Sequence, residues 1–258
     1  MSYSVEKKQI VVNDVVYDVK RERDMGGSGE ESLHITEFNV QSDEWEYIFD
    51  GLEATLGYEE GDTSHANPRD WSNVGVISVY YRGYDLGDED IRDIDFDYYD
   101  EEKDEYLVRN PVEYFKKERG ARVVLPVIVF DHSMITMKIG HVGDIMGDSA
   151  GWDTSFVGFI FDTPETVKEC MGDNVTDEQI EEALRQEMDT YASYLEGDVM
   201  YFSVQDEETG FHESCFGFVG DHEECERQCF EALESAVERR LAENNEREEW
   251  NARGTETR

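Results

Sequence analysis

A chain of 258 residues sets 63 Asp and Glu against 23 Lys and Arg, for a formal net charge of −40. That balance excludes direct binding to DNA or RNA, because phosphate neutralisation needs Lys and Arg patches and none stands out. The 38% hydrophobic and 12% aromatic content excludes a disordered acidic tail, and the longest apolar run, Val123 to Phe130, is too short to span a bilayer.

Val5 to Lys20 reads as a β-hairpin, with Ile10-Val11-Val12 and Val15-Val16-Tyr17 flanking the turn pair Asn13-Asp14. Met25 to Gly29 is a Gly-rich loop, and His34 to Val40 alternates weakly as a strand. Trp45, Ile48, Phe49, Leu52 and Leu56 follow helical spacing, so a helix is expected over Glu44 to Leu56. Tyr58 to Trp71 is polar loop, and Val74 to Tyr81 is a β-branched and aromatic strand. Asp85 to Glu105 holds the densest acid and interleaves it with apolar residues. Asp93, Asp95, Asp97 and Asp100 alternate there with Ile94, Phe96 and Tyr98-Tyr99. A calcium loop would need a Gly at the sharp turn, which is missing, so a solvated loop or edge strand is the better expectation. Pro111 to Arg119 is a short helix or linker.

Val123 to Phe130 is a buried strand with Pro126 at a bulge or edge, and Ile135 to Ile139 is placed to pair with it. Phe156 to Phe161 is another strand. Thr163-Pro164 starts a helix, and Thr176 to Gln179 is a capping box before a longer one that Gly197 stops. Val199 to Val204 and Phe211 to Val219 form a hairpin. A last helix runs from Glu223 to Leu241, and Arg247 onward is expected to fray. The fold class is α+β, with mixed or antiparallel sheets and packed helices. The expected organisation is an acidic β-rich region over 1–115, an α/β region over 116–245 and a tail over 246–258, all within one continuous domain or two small ones. Met1 to Glu6 has no apolar signal region, so a cytoplasmic protein is expected, in the host cytoplasm if viral. Cys170, Cys215, Cys225 and Cys229 contain no CxxC. Cys225 and Cys229 are one helical turn apart and read as core residues.

Candidate chemistry gathers in three segments. Phe130-Asp131-His132-Ser133 ends a buried strand, Gly151-Trp152-Asp153-Thr154-Ser155 enters the next, and Ser214 to Phe218 lies in the late hairpin. Asp131, His132, His141 and Asp153 could form a carboxylate and imidazole site for a divalent metal such as Mn, Fe or Zn. Equally, Asp131 or Asp153 could orient His132 as a general base. The simpler alternative is that Asp and Ser cap turns at a strand end. No HExxH, GxSxG, P-loop or dinucleotide motif occurs, which weighs against an enzyme.

Tyr81-Arg82-Gly83-Tyr84-Asp85-Leu86-Gly87-Asp88 and Leu125 to Ser133 are followed by Trp152-Asp153 with Val157-Gly158-Phe159-Ile160. Tyr194 to Val199 and Ser214-Cys215-Phe216-Gly217-Phe218 come next. In that order these segments resemble a family encoded by tailed phages, prophages and related mobile elements, with no assigned biochemical role. The resemblance runs from Val74 to Asp221. It departs where Met134 replaces the family's usual Gly and where a Ser/Thr-Pro-Phe segment near His141 is missing. It implies a viral or mobile-element origin, and the family's acidity means that salt need not explain all of the charge.

Like charges at this density repel, so the compact state needs strong screening or a basic partner. Three functions follow. The leading one is an acidic accessory protein that binds a host or viral macromolecule. Its specific form is host-defence antagonism by DNA mimicry, in which carboxylates such as Asp93, Asp95, Asp97 and Asp100 occupy a basic DNA-binding protein. The second is a small metal-dependent hydrolase using Asp131, His132 and Asp153. The third is a halophile domain with no partner for its charge.

Overall fold

The computed structural model describes residues 7–23, 30–39, 44–100, 105–145, 148 and 150–255. The expected loop over Met25 to Gly29 lies outside them. The fold is α+β, with two mostly antiparallel sheets, a separate two-stranded ribbon and four α-helices among the described residues. The chain divides into two compact units. One joins Met1–Ala66 to Val199–Arg258, and the other is Asn67–Asp198. The division therefore does not fall near residue 115. The late hairpin and last helix return to complete the N-terminal sheet, and this pairing across 140 residues and more leaves no local signal.

In the first unit, β1 (Lys7–Val12) and β2 (Val15–Arg23) form the expected hairpin. Asn13 and Asp14 both adopt positive φ, 51° and 64°, which matches the twist of the flanking strands. The sheet continues through β3 (Glu31–Asn39), β5 (Leu52–Tyr58), β13 (Val199–Asp206) and β14 (Phe211–Val219), with β4 (Glu44–Tyr47) paired to β3. The helix expected over Glu44 to Leu56 is thus two strands. Leu52, Ala54 and Leu56 are buried at period two, and Gly51, at φ +76°, makes the turn between the strands. The apolar residues of so short a segment satisfied both periods, and β5 is decided by its neighbours β3 and β13.

Helix α4 (His222–Thr255) covers this sheet. Cys225, Cys229, Ala232, Leu233, Ala236 and Val237 form one stripe buried against Ile10, Val19, Leu33, Ala54 and Phe202. Burial pushes the Cys225 and Cys229 thiols up to about 12, so both stay protonated as small apolar residues. The expected fray after Arg247 is instead helical to Thr255, and Arg247 pairs with Glu208 at 2.8 Å.

The second unit is built on the five-stranded sheet β11-β10-β12-β6-β7. Its strands are β6 (Gly75–Val79), β7 (Glu89–Asp90), β10 (Val124–Asp131), β11 (Ile135–Ile139) and β12 (Thr154–Asp162). Helix α3 (Asp177–Leu195) begins at the expected capping box on Thr176 and Gln179. It packs Ile180, Leu184, Met188 and Tyr191 on one face against Ile77, Val127, Met137 and Ile160. On the other face α1 (Pro111–Glu118) sets Phe115 against Phe161, ring centroids 4.2 Å apart. The short α2 (Pro164–Cys170) follows the Thr163 cap. The ribbon of β8 (Asp97–Asp100) and β9 (Glu105–Val108) completes the unit.

Strand β12 bulges opposite Val127 and Ile128. Gly158 sits there at φ +152°, and a Cβ on it would lie 2.1 Å from the Ser78 carbonyl oxygen. The extra residue places Phe156 and Phe159 on the same face, with ring centroids 5.3 Å apart. Alanine at Gly158 is expected to cost about 1–3 kcal/mol, because the β12–β6 backbones must separate. Denaturant unfolding checks this, and an unchanged midpoint would contradict it.

Asp206 and Arg240 form a buried ion pair in the first unit, with side chains 0% and 4% exposed. Arg240 Nε donates to Asp206 Oδ2 at 2.9 Å, Nη2 donates to the Asp50 carbonyl at 3.0 Å, and Nη1 meets Glu208 at 2.7 Å. Burial pushes the Asp206 carboxyl up, but hydrogen bonds from Arg240, Thr209 and the Glu208 N–H together hold it below its ordinary value. Arg240→Met should therefore cost about 3–5 kcal/mol, leaving a buried carboxylate unpaired. In the wild type the pair's stabilisation is present above the unfolded carboxyl value of about 3.9 and is lost as pH falls below it. Urea melts from about pH 7 to pH 3 should show a shallower acid loss in the variant. Equal stability of the two proteins at neutral pH would disprove the assignment.

Candidate functional site

The segments that carry the candidate chemistry meet at one end of the five-stranded sheet. Phe130 pairs with Thr154 across β10 and β12, and the Asp131 N–H donates to the Asp153 carbonyl at 2.9 Å. Beyond this pairing, His132 Nδ1 lies 2.9 Å from Asp153 Oδ2. The contact is open to solvent, the His132 side chain being 68% exposed and that of Asp153 40%. A side-chain contact so exposed is worth at most about 1 kcal/mol to the fold.

Asp131 is separated from this pair by strand alternation, which sends successive side chains to opposite faces. Its carboxylate accepts from the Tyr81 hydroxyl at 2.9 Å. Tyr81 precedes a tight turn through Gly83, at φ +82°, and its ring stacks on Tyr84 with centroids 5.8 Å apart. Desolvation first, and then the Asp131 hydrogen bond and charge, raise the Tyr81 hydroxyl above its ordinary value.

Asp148 was not anticipated, yet it shapes the loop before β12. It is 8% exposed and accepts from the Trp152 N–H at 2.8 Å, the Asp153 N–H at 3.1 Å and the Thr154 hydroxyl at 2.6 Å. These bonds, led by that from Thr154, hold its carboxyl below the usual range. Its sequence signal was an Asp four residues before Trp152 in a Gly-flanked loop, the arrangement of a side-chain-stabilised turn. The turn presents Trp152 and Asp153 outward.

His141 is exposed in the loop after β11, where its N–H donates to Asp144 Oδ2 at 2.6 Å. Among the described residues no group of three or more His, Cys, Asp or Glu is placed to hold a metal ion. The expected ligand set Asp131, His132, His141 and Asp153 is thus corrected to a single His132–Asp153 contact. Asp131 accepts from Tyr81 on the opposite face of the strand, and His141 sits in the loop after β11, where the bond to Asp144 is made by its backbone N–H. What the arrangement offers chemically is an imidazole oriented by a carboxylate on an open surface.

Two clefts lie elsewhere. One, of about 200 Å³, is lined by Pro68, Trp71, Asn73 and Glu187, and the other, also about 200 Å³, by Arg21, Tyr58, His222 and Glu226. Both fall below the roughly 300–1,000 Å³ of small-molecule sites. Glu187 is pushed up by burial but accepts from the Val74 and Gly75 N–H groups at 2.6 and 2.9 Å, so its carboxylate secures the start of β6.

The acidic segment before β8 has a clear organisation. Ile94 and Phe96 pack against the Phe115 and Phe161 cluster, while Asp93, Asp95 and Asp97 are exposed. The side chain of Asp100 lies outside the described residues. Comparison with family models, with curated proteins and with solved structures returned no match. No helix among the described residues is long and apolar enough to cross a membrane.

Asp131→Asn should keep the fold and lower the Tyr81 hydroxyl toward the ordinary tyrosine value of about 10. It removes the charge that disfavours the phenolate while keeping an acceptor. Tyrosine-selective NMR titration at alkaline pH measures the shift, and an unmoved Tyr81 would show that Asp131 does not govern it.

Proposed function

We infer that the protein is an acidic accessory protein, encoded by a virus or mobile element, that acts by binding a basic macromolecule, with host-defence antagonism by DNA mimicry as its specific form. The observation that carries this reading is the segment Asp93 to Asp97. Its apolar residues are anchored on the Phe115 cluster and its carboxylates project into solvent. Anchoring fixes the positions of the charges, as imitation of a phosphate array requires. The net charge of −40 supports the reading by favouring fast association with a basic surface. A hydrolase has only the exposed His132–Asp153 contact in its favour.

The test is displacement of a fluorescent DNA duplex from a Lys/Arg-rich DNA-binding domain at about 0.1 M KCl, repeated at about 1 M, where the Debye length falls to roughly 3 Å. Displacement at low salt, lost at high salt and weakened about 10-fold by combined Asp93→Asn, Asp95→Asn and Asp97→Asn, is the expected result. No displacement by the wild type at low salt refutes the function. Thermal melts over the same salts separate it from halophilic adaptation, because an adapted protein would lose its fold at about 0.1 M KCl. A partner-binding protein is expected to stay folded there.

A further inference from the structure

The face of the five-stranded sheet that α1 covers is only partly covered. Phe115 shields Phe159 and Phe161 at one end. Beyond the bulge, Phe156 is 51% exposed. Phe130 stacks on His132 with centroids 6.1 Å apart, and Trp152, two residues before the Thr154 that pairs with Phe130, is 88% exposed. Met134, in the β10–β11 turn next to His132, is 58% exposed. Isolated exposed apolar residues are ordinary, but large aromatics gathered at one strand end mark an interaction site.

The charge around these rings says what they take. Asp153 follows Trp152 in the chain and contacts His132, with its carboxylate partly open to solvent. The chain as a whole is at −40, so an anionic partner is disfavoured and a cationic one favoured. A cation with a flat, weakly hydrated face suits aromatic rings and a carboxylate together, and that cation is guanidinium. One guanidinium already lies against this sheet. Arg92 stacks over Tyr80, its Cζ 3.4 Å from the ring centroid, just past β6 on the side that Ser78 and Phe159 share by strand alternation.

We propose that Phe130, His132, Trp152, Asp153 and Phe156 form a docking surface for an Arg-rich segment of a partner protein. Trp152 and Phe156 receive guanidinium faces, and the Asp153 carboxylate accepts their N–H groups. The proposal rests on the inferred binding of a basic macromolecule and names the chemistry of one contact. It also accounts for the exposure of Trp152, which the buried Asp148 holds outward by way of the turn.

The experiment is calorimetric titration with a nona-arginine peptide at about 0.15 M and about 0.5 M KCl. Trp152→Ala and Phe156→Ala should each weaken binding about 10-fold, with the difference surviving at the higher salt because ring contacts are screened less than exposed charges. Asp153→Asn should weaken it less. Trp152 is exposed enough that its removal should leave the near-ultraviolet circular dichroism of the core intact. Peptide binding by Trp152→Ala and Phe156→Ala equal to wild type overturns the surface while leaving the inferred function standing. A wild-type chain that binds neither the peptide nor the basic DNA-binding domain overturns both. Loss of a self-associated form on Trp152→Ala in ultracentrifugation, without change in peptide binding, would assign the face to a second copy and also overturn the proposal.

Discussion

Self-repulsion among 63 carboxylates sets the terms on which every element of this protein packs. Besides screening by salt or a basic partner, efficient apolar burial and well-placed cations offset that repulsion. Both of these are present. Each sheet is covered by a long helix with an uninterrupted apolar stripe, Cys225 to Val237 on one and Ile180 to Tyr191 on the other. Several arginines sit inward. The Arg69 side chain is 5% exposed and pairs with the partly buried Asp88, and Arg240, 4% exposed, pairs with the fully buried Asp206. The same residues on the surface would have contributed little.

The second unit depends on one local distortion. Without the bulge in β12, Phe156 and Phe159 would fall on opposite faces, as residues three apart do in a regular strand. With it, the sheet has one face wholly given to α3 and another that carries aromatic residues from the Phe115 cluster out to the solvent end. Gly158 makes this possible because no side chain fits against the Ser78 carbonyl. A backbone requirement at one residue thus decides which side chains are buried and which stay open.

Local chemistry was legible in the sequence and long-range pairing was not. Asn13-Asp14 specified its hairpin through two positive φ angles, and Thr176 with Gln179 specified the start of α3. Those signals lie within four residues of what they control. Leu52, Ala54 and Leu56 showed their strand period only once β3 and β13 were known to flank them, so a helix was the natural expectation. The end of α4 was misplaced because its apolar stripe stops near Leu241, while ion pairs such as Arg239–Glu243 at 3.1 Å and Arg247–Glu208 support its polar continuation. At the candidate site, Phe130-Asp131-His132 and Trp152-Asp153 were found from their strand-end positions. Their separation into Tyr81–Asp131 and His132–Asp153 was not, because Tyr81 lies 50 residues from Asp131.

Charge and aromatic exposure make different contributions to recognition. Net charge of one sign raises the rate of encounter with any basic surface and discriminates weakly among them. Discrimination comes from a few desolvated anchors, for which aromatic residues and arginine are the commonest choice. An acidic protein lacking such anchors would be sequestered by every polycation it met. Here the exposed carboxylates of Asp93, Asp95 and Asp97 border the Phe115 cluster, the exposed ring of Phe156 lies further along the same sheet face, and Trp152 is exposed just before β12. Salt acts unequally on the two groups, since screening weakens the carboxylates and leaves the ring contacts nearly intact. A binder built this way grows more selective as ionic strength rises, because the contacts that remain are the ones that demand a particular shape.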